Sequence, residues 1–260
     1  MSRPYTEAPR VYFVGAGPGA ADLLTLRAAR IIERAEFVLH DALVEASILE
    51  LAPRAQQISV GKRAQRPSTA QRFINKTLVD CARKSSCVVR LKGGDPSVFG
   101  RLDEEMQALR AANIGFEVVP GITAASAAAA ELQASLTLRG VARAVTFLTP
   151  CVCDEHDDAT WAPAIGSLRA GGTLGVYMAG RHIAAMAQRL IEHGVPSAMP
   201  ISILESVSLP NSRHWIGALA AAAASPPEIG GGPVVLLIGE ALRGAQQRAG
   251  ERDIEIAQAA

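Results

Sequence analysis

A chain of 260 residues carrying 26 Lys and Arg against 25 Asp and Glu, formal charge +1, is long enough for one large domain or two modest ones. Its apolar content of 49 % supports a packed core and excludes global disorder. The near-neutral charge and an aromatic content of only 4 % argue against bulk nucleic-acid binding and base-stacking platforms. The four cysteines Cys81, Cys87, Cys151 and Cys153 do not make a disulfide scaffold. The N-terminus lacks the apolar segment of a signal peptide, and no apolar run approaches the roughly 20 residues of a membrane span. The expectation is a soluble cytoplasmic protein that uses neither nucleic acid nor membrane.

In chain order, strands are expected over 11–14, 37–39, 57–60, 87–91 and 116–119. Between them, helices are expected over 22–34, 46–51, 69–83, 102–112 and 122–132. Residues 133–143 have weaker periodicity and read as a connection between two halves. A second alternation then places strands over 145–148, 173–177, 200–204, 213–216 and 234–238, with helices over 162–168 and 182–192. The late strands close around a turn at Pro210 and Asn211, which predicts an antiparallel pair. The fold class is therefore α/β, with a mainly parallel N-terminal sheet and a mixed C-terminal sheet. Domains are expected over 1–135 and 136–244, followed by a polar tail over 245–260. The Ala run over 220–224 reads as low complexity.

Three strand-end loops stand out. Gly15-Ala16-Gly17-Pro18-Gly19 follows the first strand and opens a helix. It reads either as a tight turn or as a ligand loop of the dinucleotide kind, with Asp41 as the acidic residue further on. Pro18 removes one N–H that a pyrophosphate would use. The second loop runs from Arg90 to Arg101 and contains Lys92-Gly93-Gly94-Asp95-Pro96. It lies where open α/β sheets bind ligands, its Asp95 can cap a turn or accept hydrogen bonds, and Arg101 offers a fork suited to a carboxylate. The third, Val119-Pro120-Gly121-Ile122-Thr123-Ala124, is either an N-capped Ala-rich helix start or a flat surface for a ligand. All three would converge on one edge of the sheet.

Together the stretches GAGPGAADLLTLRA, HDALV, VGKR, VVRLKGGDPSVFGR, VVPGITAASA, VYMAGRHI and PVVLLIGEAL resemble the tetrapyrrole (corrin/porphyrin) methyltransferases, and within them the uroporphyrinogen-III C-methyltransferases, over residues 11–242. The resemblance implies a two-domain fold with an inter-domain cleft, a homodimer, and S-adenosylmethionine as methyl donor with S-adenosylhomocysteine as product. It implies donor contacts at Pro18, Gly93, Gly94, Asp95, Val98, Thr123, Ala124 and Met178, and by spacing at Val207 and Val234. Met178 alone would read as core. The implied reaction is methylation of uroporphyrinogen III at C2 and C7 to precorrin-2, serving sirohaem, cobalamin or haem d1. The alternatives are methylation of a later precorrin, or a non-catalytic donor-binding paralogue. The substrate carries eight carboxylates, so Lys62, Arg63, Arg101, Arg139 and Arg143 are its candidate partners. Local positive charge would then be hidden within a net charge of +1. Arg101, Glu104 and Asp41 match positions where the family handles substrate or protons. Arg101 would anchor a carboxylate, and Glu104 would orient it or act as base. Asp41 would contact the macrocycle or cap the segment after strand two. At 260 residues the methyltransferase alone is expected, without the dehydrogenase and ferrochelatase module fused in some relatives.

The departures from the family pattern cluster on the substrate side. Leu102 and Asp103 replace two glycines, Leu138 stands where histidine is usual, and Pro150 and Cys151 replace a Gly-His pair. The following Cys151, Cys153 and His156 could bind a metal with Asp154 or Asp157, but the spacing matches no common site. The expectation is no metal.

Overall fold

A computed structural model of the chain describes residues 10–61, 67–150 and 158–250. The chain divides into two compact units, one ending at Thr123 and one beginning at Ala124. The first holds strands β1 (Val11–Gly15), β2 (Phe37–His40), β3 (Gln56–Ser59), β4 (Val88–Lys92) and β5 (Phe116–Val119). Helices α1 (Leu26–Glu33), α2 (Ala46–Leu49), α3 (Pro67–Lys84) and α4 (Leu102–Ala111) lie between them. The sheet order is β3-β2-β4-β1-β5, and every neighbouring pair is parallel.

The near-continuous apolar runs of β1 and β4 are buried throughout, as expected of strands covered on both faces. Alternate residues point to opposite sides. Tyr12, Val14, Val89 and Leu91 pack with Ile31, Ile32 and Ile48 of α1 and α2. Val11, Phe13 and Val88 pack with Leu78 and Leu109 of α3 and α4. By the same alternation Arg90 and Lys92 lie on the α3 and α4 side. The helix expected over 22–34 is interrupted. A 3₁₀ turn at Ala21–Leu23 precedes α1, and the Thr25 hydroxyl accepts from the Ala28 amide at 3.1 Å, an N-cap that starts the helix anew.

The second unit contains α5 (Ala124–Glu131), β6 (Val145–Leu148), α6 (Asp158–Arg169), β7 (Thr173–Tyr177), α7 (Ile183–Glu192), β8 (Pro200–Glu205), β9 (Arg213–Ala218), α8 (Leu219–Ala224) and β10 (Val234–Ile238). Its sheet is mixed, in the order β6-β7-β10-β8-β9. The pair β6–β7 is parallel, and the other three pairs are antiparallel. One core cluster joins Ile165, Leu174, Leu190, Ile201 and Leu236.

Three local features differ from the sequence reading. α5 groups with this unit, because Ala125, Ala127, Ala128 and Ala129 are buried and the helix packs against β10. The Ala run forms α8, with Leu219 and Ala222 buried against α7. Residues 243–250 are helical, and the Arg248 guanidinium donates to the Leu132 and Gln133 carbonyls at 3.2 and 3.1 Å, which caps the end of α5. Among the described residues no helix is long and apolar enough to cross a membrane.

Candidate functional site

The order of the first sheet sets β4, β1 and β5 side by side, so the three glycine loops leave adjacent strand ends. They are bonded to one another. The Ala16 amide donates to the Lys92 carbonyl at 2.8 Å, and Gly17 and Gly94 exchange amide–carbonyl hydrogen bonds at 3.2 and 2.7 Å. Asp95 ties in the third loop. Its Oδ2 accepts from the Gly121 amide at 3.0 Å, and its Oδ1 accepts from the Ser97 amide at 2.8 Å. A Cβ on Gly15 would lie 2.6 Å from Gly121 Cα and 2.8 Å from the Gly94 carbonyl oxygen. Only glycine allows these loops to touch.

Of the residues expected to hold a donor, Pro18, Gly93, Gly94, Asp95, Val98 and Thr123 all lie on these loops, and Gly93 is exposed. An added Cβ at Gly93 would meet nothing nearer than Leu43 Cβ at 3.9 Å. Bare main chain is therefore exposed at this position.

Beneath the second loop lies an ion cluster that the sequence reading missed, apart from Asp41. Arg90 and Lys92 of β4 and Glu105 of α4 are buried. Glu105 accepts from Arg90 Nε at 3.1 Å and from Lys92 Nζ at 2.9 Å. Arg90 Nη2 reaches Asp41 Oδ1 at 2.6 Å, at the end of β2. Burial, helped by the neighbouring Arg90 charge, pushes the Lys92 amine below its ordinary value. Burial alone would lower Arg90 too, but the Glu105 and Asp41 carboxylates outweigh it and hold the guanidinium charged. The available signal was two charged residues at alternate positions of an otherwise apolar strand, V-V-R-L-K.

Arg101 is directed elsewhere. Its Nε and Nη2 fork onto Glu104 at 2.7 Å each, and both side chains are about half exposed, 47 % and 48 %. The hydrogen bond from Arg101 lowers the Glu104 pKa, which makes Glu104 a weaker base than a glutamate without such a partner. Phe99 and Arg101 have φ of 52° and 51°, a left-handed backbone that is uncommon outside glycine. Leu102 packs against the core cluster under α3 and α4, and Asp103 accepts from Gln107 one turn on. Leu102 thus contributes to the core, and Asp103 to a side-chain hydrogen bond within α4.

The second unit places its predicted residues separately. Met178 follows β7 with φ 59° and 61 % exposure, so it is not core. Val207 is buried in a turn fastened by Glu131, which accepts from the Ser208 amide and, at 2.9 Å, from Ser212 Oγ. Val234 begins β10, and Ala124 begins α5. Arg139 is exposed at the tip of a turn closed by hydrogen bonds between Leu138 and Ala142; Arg143 is also exposed. Lys62, Arg63 and the Cys151, Cys153 and His156 stretch lie outside the described residues. Among the described residues no group of three His, Cys, Asp or Glu could hold a metal ion.

The chain is similar to known proteins in both sequence and structure. The family model described as Tetrapyrrole (Corrin/Porphyrin) Methylases matches residues 10–223. A siroheme synthase of Azotobacter vinelandii is 43 % identical over 235 residues, 90 % of this chain and 50 % of that protein; the chain spans about half the length of the curated relatives it matches. The uroporphyrin III C-methyl transferase of Thermus thermophilus superposes with TM-score 0.78 at 35 % identity, over 90 % of this chain and 99 % of that one. A further structure of that enzyme, with TM-score 0.77 and 34 % identity over the same shares, is a complex with S-adenosyl homocysteine.

Proposed function

The chain belongs to the tetrapyrrole (corrin/porphyrin) methylases, and from that premise we propose that it transfers methyl groups from S-adenosylmethionine to C2 and then C7 of uroporphyrinogen III. The products are precorrin-2 and two S-adenosylhomocysteines, on the branch toward sirohaem. The observation that carries this reading is the set of three glycine loops bonded together around bare main chain at Gly93. The names of the relatives point the same way: one is a uroporphyrin III methyltransferase crystallised with the spent donor, and another a siroheme synthase.

The exposed backbone at Gly93, on loops that also carry Pro18, Gly94, Val98 and Thr123, fits a donor held by main chain and small side chains. When bound, S-adenosylmethionine supplies a methyl group on a sulfonium, already a good electrophile. The residues of this chain therefore have mainly to align donor and acceptor. Asp95 contributes by holding the loops together. In each transfer an electron-rich pyrrole carbon takes the methyl group, and one proton leaves the macrocycle. Asp41 is the proposed acceptor of that proton, and Arg101 the proposed anchor for a substrate carboxylate. The donor roles of Ala124, Met178, Val207 and Val234, the substrate roles of Lys62, Arg63 and Arg139, and a homodimeric state belong to the same proposal.

Anaerobic incubation of the purified protein with S-adenosylmethionine and uroporphyrinogen III, followed by absorbance and mass, tests it. A dimethylated product supports the reading. Methylation of a later precorrin only would replace the substrate. Donor binding without any transfer would make the chain a non-catalytic binder.

A further inference from the structure

The ion cluster under the second loop has one open end. Arg90, Lys92 and Glu105 are exposed by only 1–4 % at their side chains, whereas the Asp41 side chain is 34 % exposed. Within the sheet, Leu39 pairs with Arg90 and His40 with Leu91. Asp41 thus emerges at the C-terminal edge, where open α/β sheets present their ligand-binding groups, and Arg90 sits just below it.

All three nitrogens of the Arg90 guanidinium are committed. Nε donates to both Glu105 oxygens at 3.3 and 3.1 Å. Nη1 donates to its neighbour Leu91's carbonyl at 3.0 Å. Nη2 is shared between Asp41 at 2.6 Å and Glu105 at 3.2 Å. A planar fork held on both sides cannot follow Asp41 if that side chain turns, so it fixes the carboxylate in one orientation. Lys92 donates to Glu105 at 2.9 Å, and Gln71 of α3 reaches the same oxygen at 3.4 Å. The cluster holds two cations and two carboxylates, and it balances only with Asp41 included.

Stability is a poor account of this arrangement. A buried ion network is often no more stabilising than apolar side chains of the same volume, and the rest of this face is apolar. An orienting role explains why the network ends at the sheet edge.

We propose that Arg90, backed by Glu105 and Lys92, is the positioning residue that fixes the Asp41 carboxylate toward the substrate. This rests on the reading that Asp41 meets the tetrapyrrole. It assigns a task to three residues that do not themselves touch the reacting atoms.

The test compares Arg90→Met, Asp41→Asn and the double variant. Arg90→Met alone leaves Glu105 short of a partner and risks misfolding, so Arg90→Met/Lys92→Met/Glu105→Leu, with and without Asp41→Asn, is prepared alongside. The cluster variants are expected to lose about 10²-fold in kcat with KM for S-adenosylmethionine within about twofold of wild type. Adding Asp41→Asn should then cost little more, because both changes remove the same oriented carboxylate. Losses that multiply, or a cluster variant that turns over like wild type, would overturn the proposal.

Crystal structures of wild type and the apolar cluster variant provide a readout that does not depend on activity. Asp41 is expected to leave its wild-type rotamer when the cluster is removed, and an unmoved Asp41 would also overturn the proposal. If wild type methylates no tetrapyrrole, the functional reading fails, and the crystal structures decide the positioning role separately.

Discussion

The Asp95 carboxylate accepts a hydrogen bond from the Gly121 amide at 3.0 Å, so one side chain joins the loop after β4 to the loop after β5. Its other oxygen accepts from Ser97. Both oxygens therefore have partners within the protein, and Asp95 is expected to serve the donor by shaping the loops. Asp95→Ala should destabilise the protein by about 1.5–3 kcal/mol, the range for hydrogen bonds to a charged group, as read in a urea melt. It should also weaken S-adenosylhomocysteine binding in a calorimetric titration. Unchanged affinity would separate the latch from the donor site.

Glycine is required at some of these positions and dispensable elsewhere. Gly15→Ala would set a Cβ 2.6 Å from Gly121 Cα, and backbone cannot yield as a side-chain tip does. The expected cost is about 1–3 kcal/mol of overpacking. Gly166 in α6 has nothing within 4 Å of an added Cβ, so Gly166→Ala should stabilise by about 0.5–1 kcal/mol through helix propensity. Thermal melts of the two variants should shift in opposite directions.

Glu205 predicts a pH response in the second unit. Its carboxylate accepts from the Gly230 amide at 3.0 Å and the Gly232 amide at 2.6 Å, and it pairs with Arg213. These bonds, that to Gly230 foremost, lower its pKa. A carboxyl whose folded pKa is depressed adds stability above its unfolded value, about 4.3, and loses it as pH falls through the folded value. Denaturant melts between neutral pH and pH of about 3 should show wild type losing stability toward acid. Glu205→Gln should be less stable at neutral pH and lose less on acidification. A variant with the same acid sensitivity as wild type would remove Glu205 from this role.

The Arg101–Glu104 pair is exposed, so breaking it should change stability by less than about 1 kcal/mol. Its effect is expected in substrate affinity instead. Arg101→Ala should raise KM for the tetrapyrrole about tenfold or more and leave KM for S-adenosylmethionine nearly unchanged. If neither affinity nor turnover changes, Arg101 does not anchor the substrate.

The two sheets were legible in the sequence because their strands are short apolar runs ended by Gly and Pro, as in V-Y-F-V-G of β1 and V-V-L-L-I of β10. The converging loops were legible for the same reason: each follows a strand. The ion cluster was not, since Glu105 reads as one more acid in the polar first turn of α4 and only the tertiary fold sets it against Arg90. α8 was missed because an Ala run has no apolar stripe to mark it, although Leu219 and Ala222 are buried in the fold. The break between Leu24 and Leu26 was missed because the apolar residues on both sides keep helical spacing while Thr25 caps a new helix.

The most direct test of the function proposed here uses S-adenosylmethionine with a ¹³C-labelled methyl group and uroporphyrinogen III under anaerobic conditions. The product is then examined by carbon NMR. The account predicts two labelled methyl carbons per macrocycle, bonded to C2 and C7, with one S-adenosylhomocysteine formed for each. Label at other carbons, or no label on the macrocycle while S-adenosylhomocysteine still binds, would contradict it.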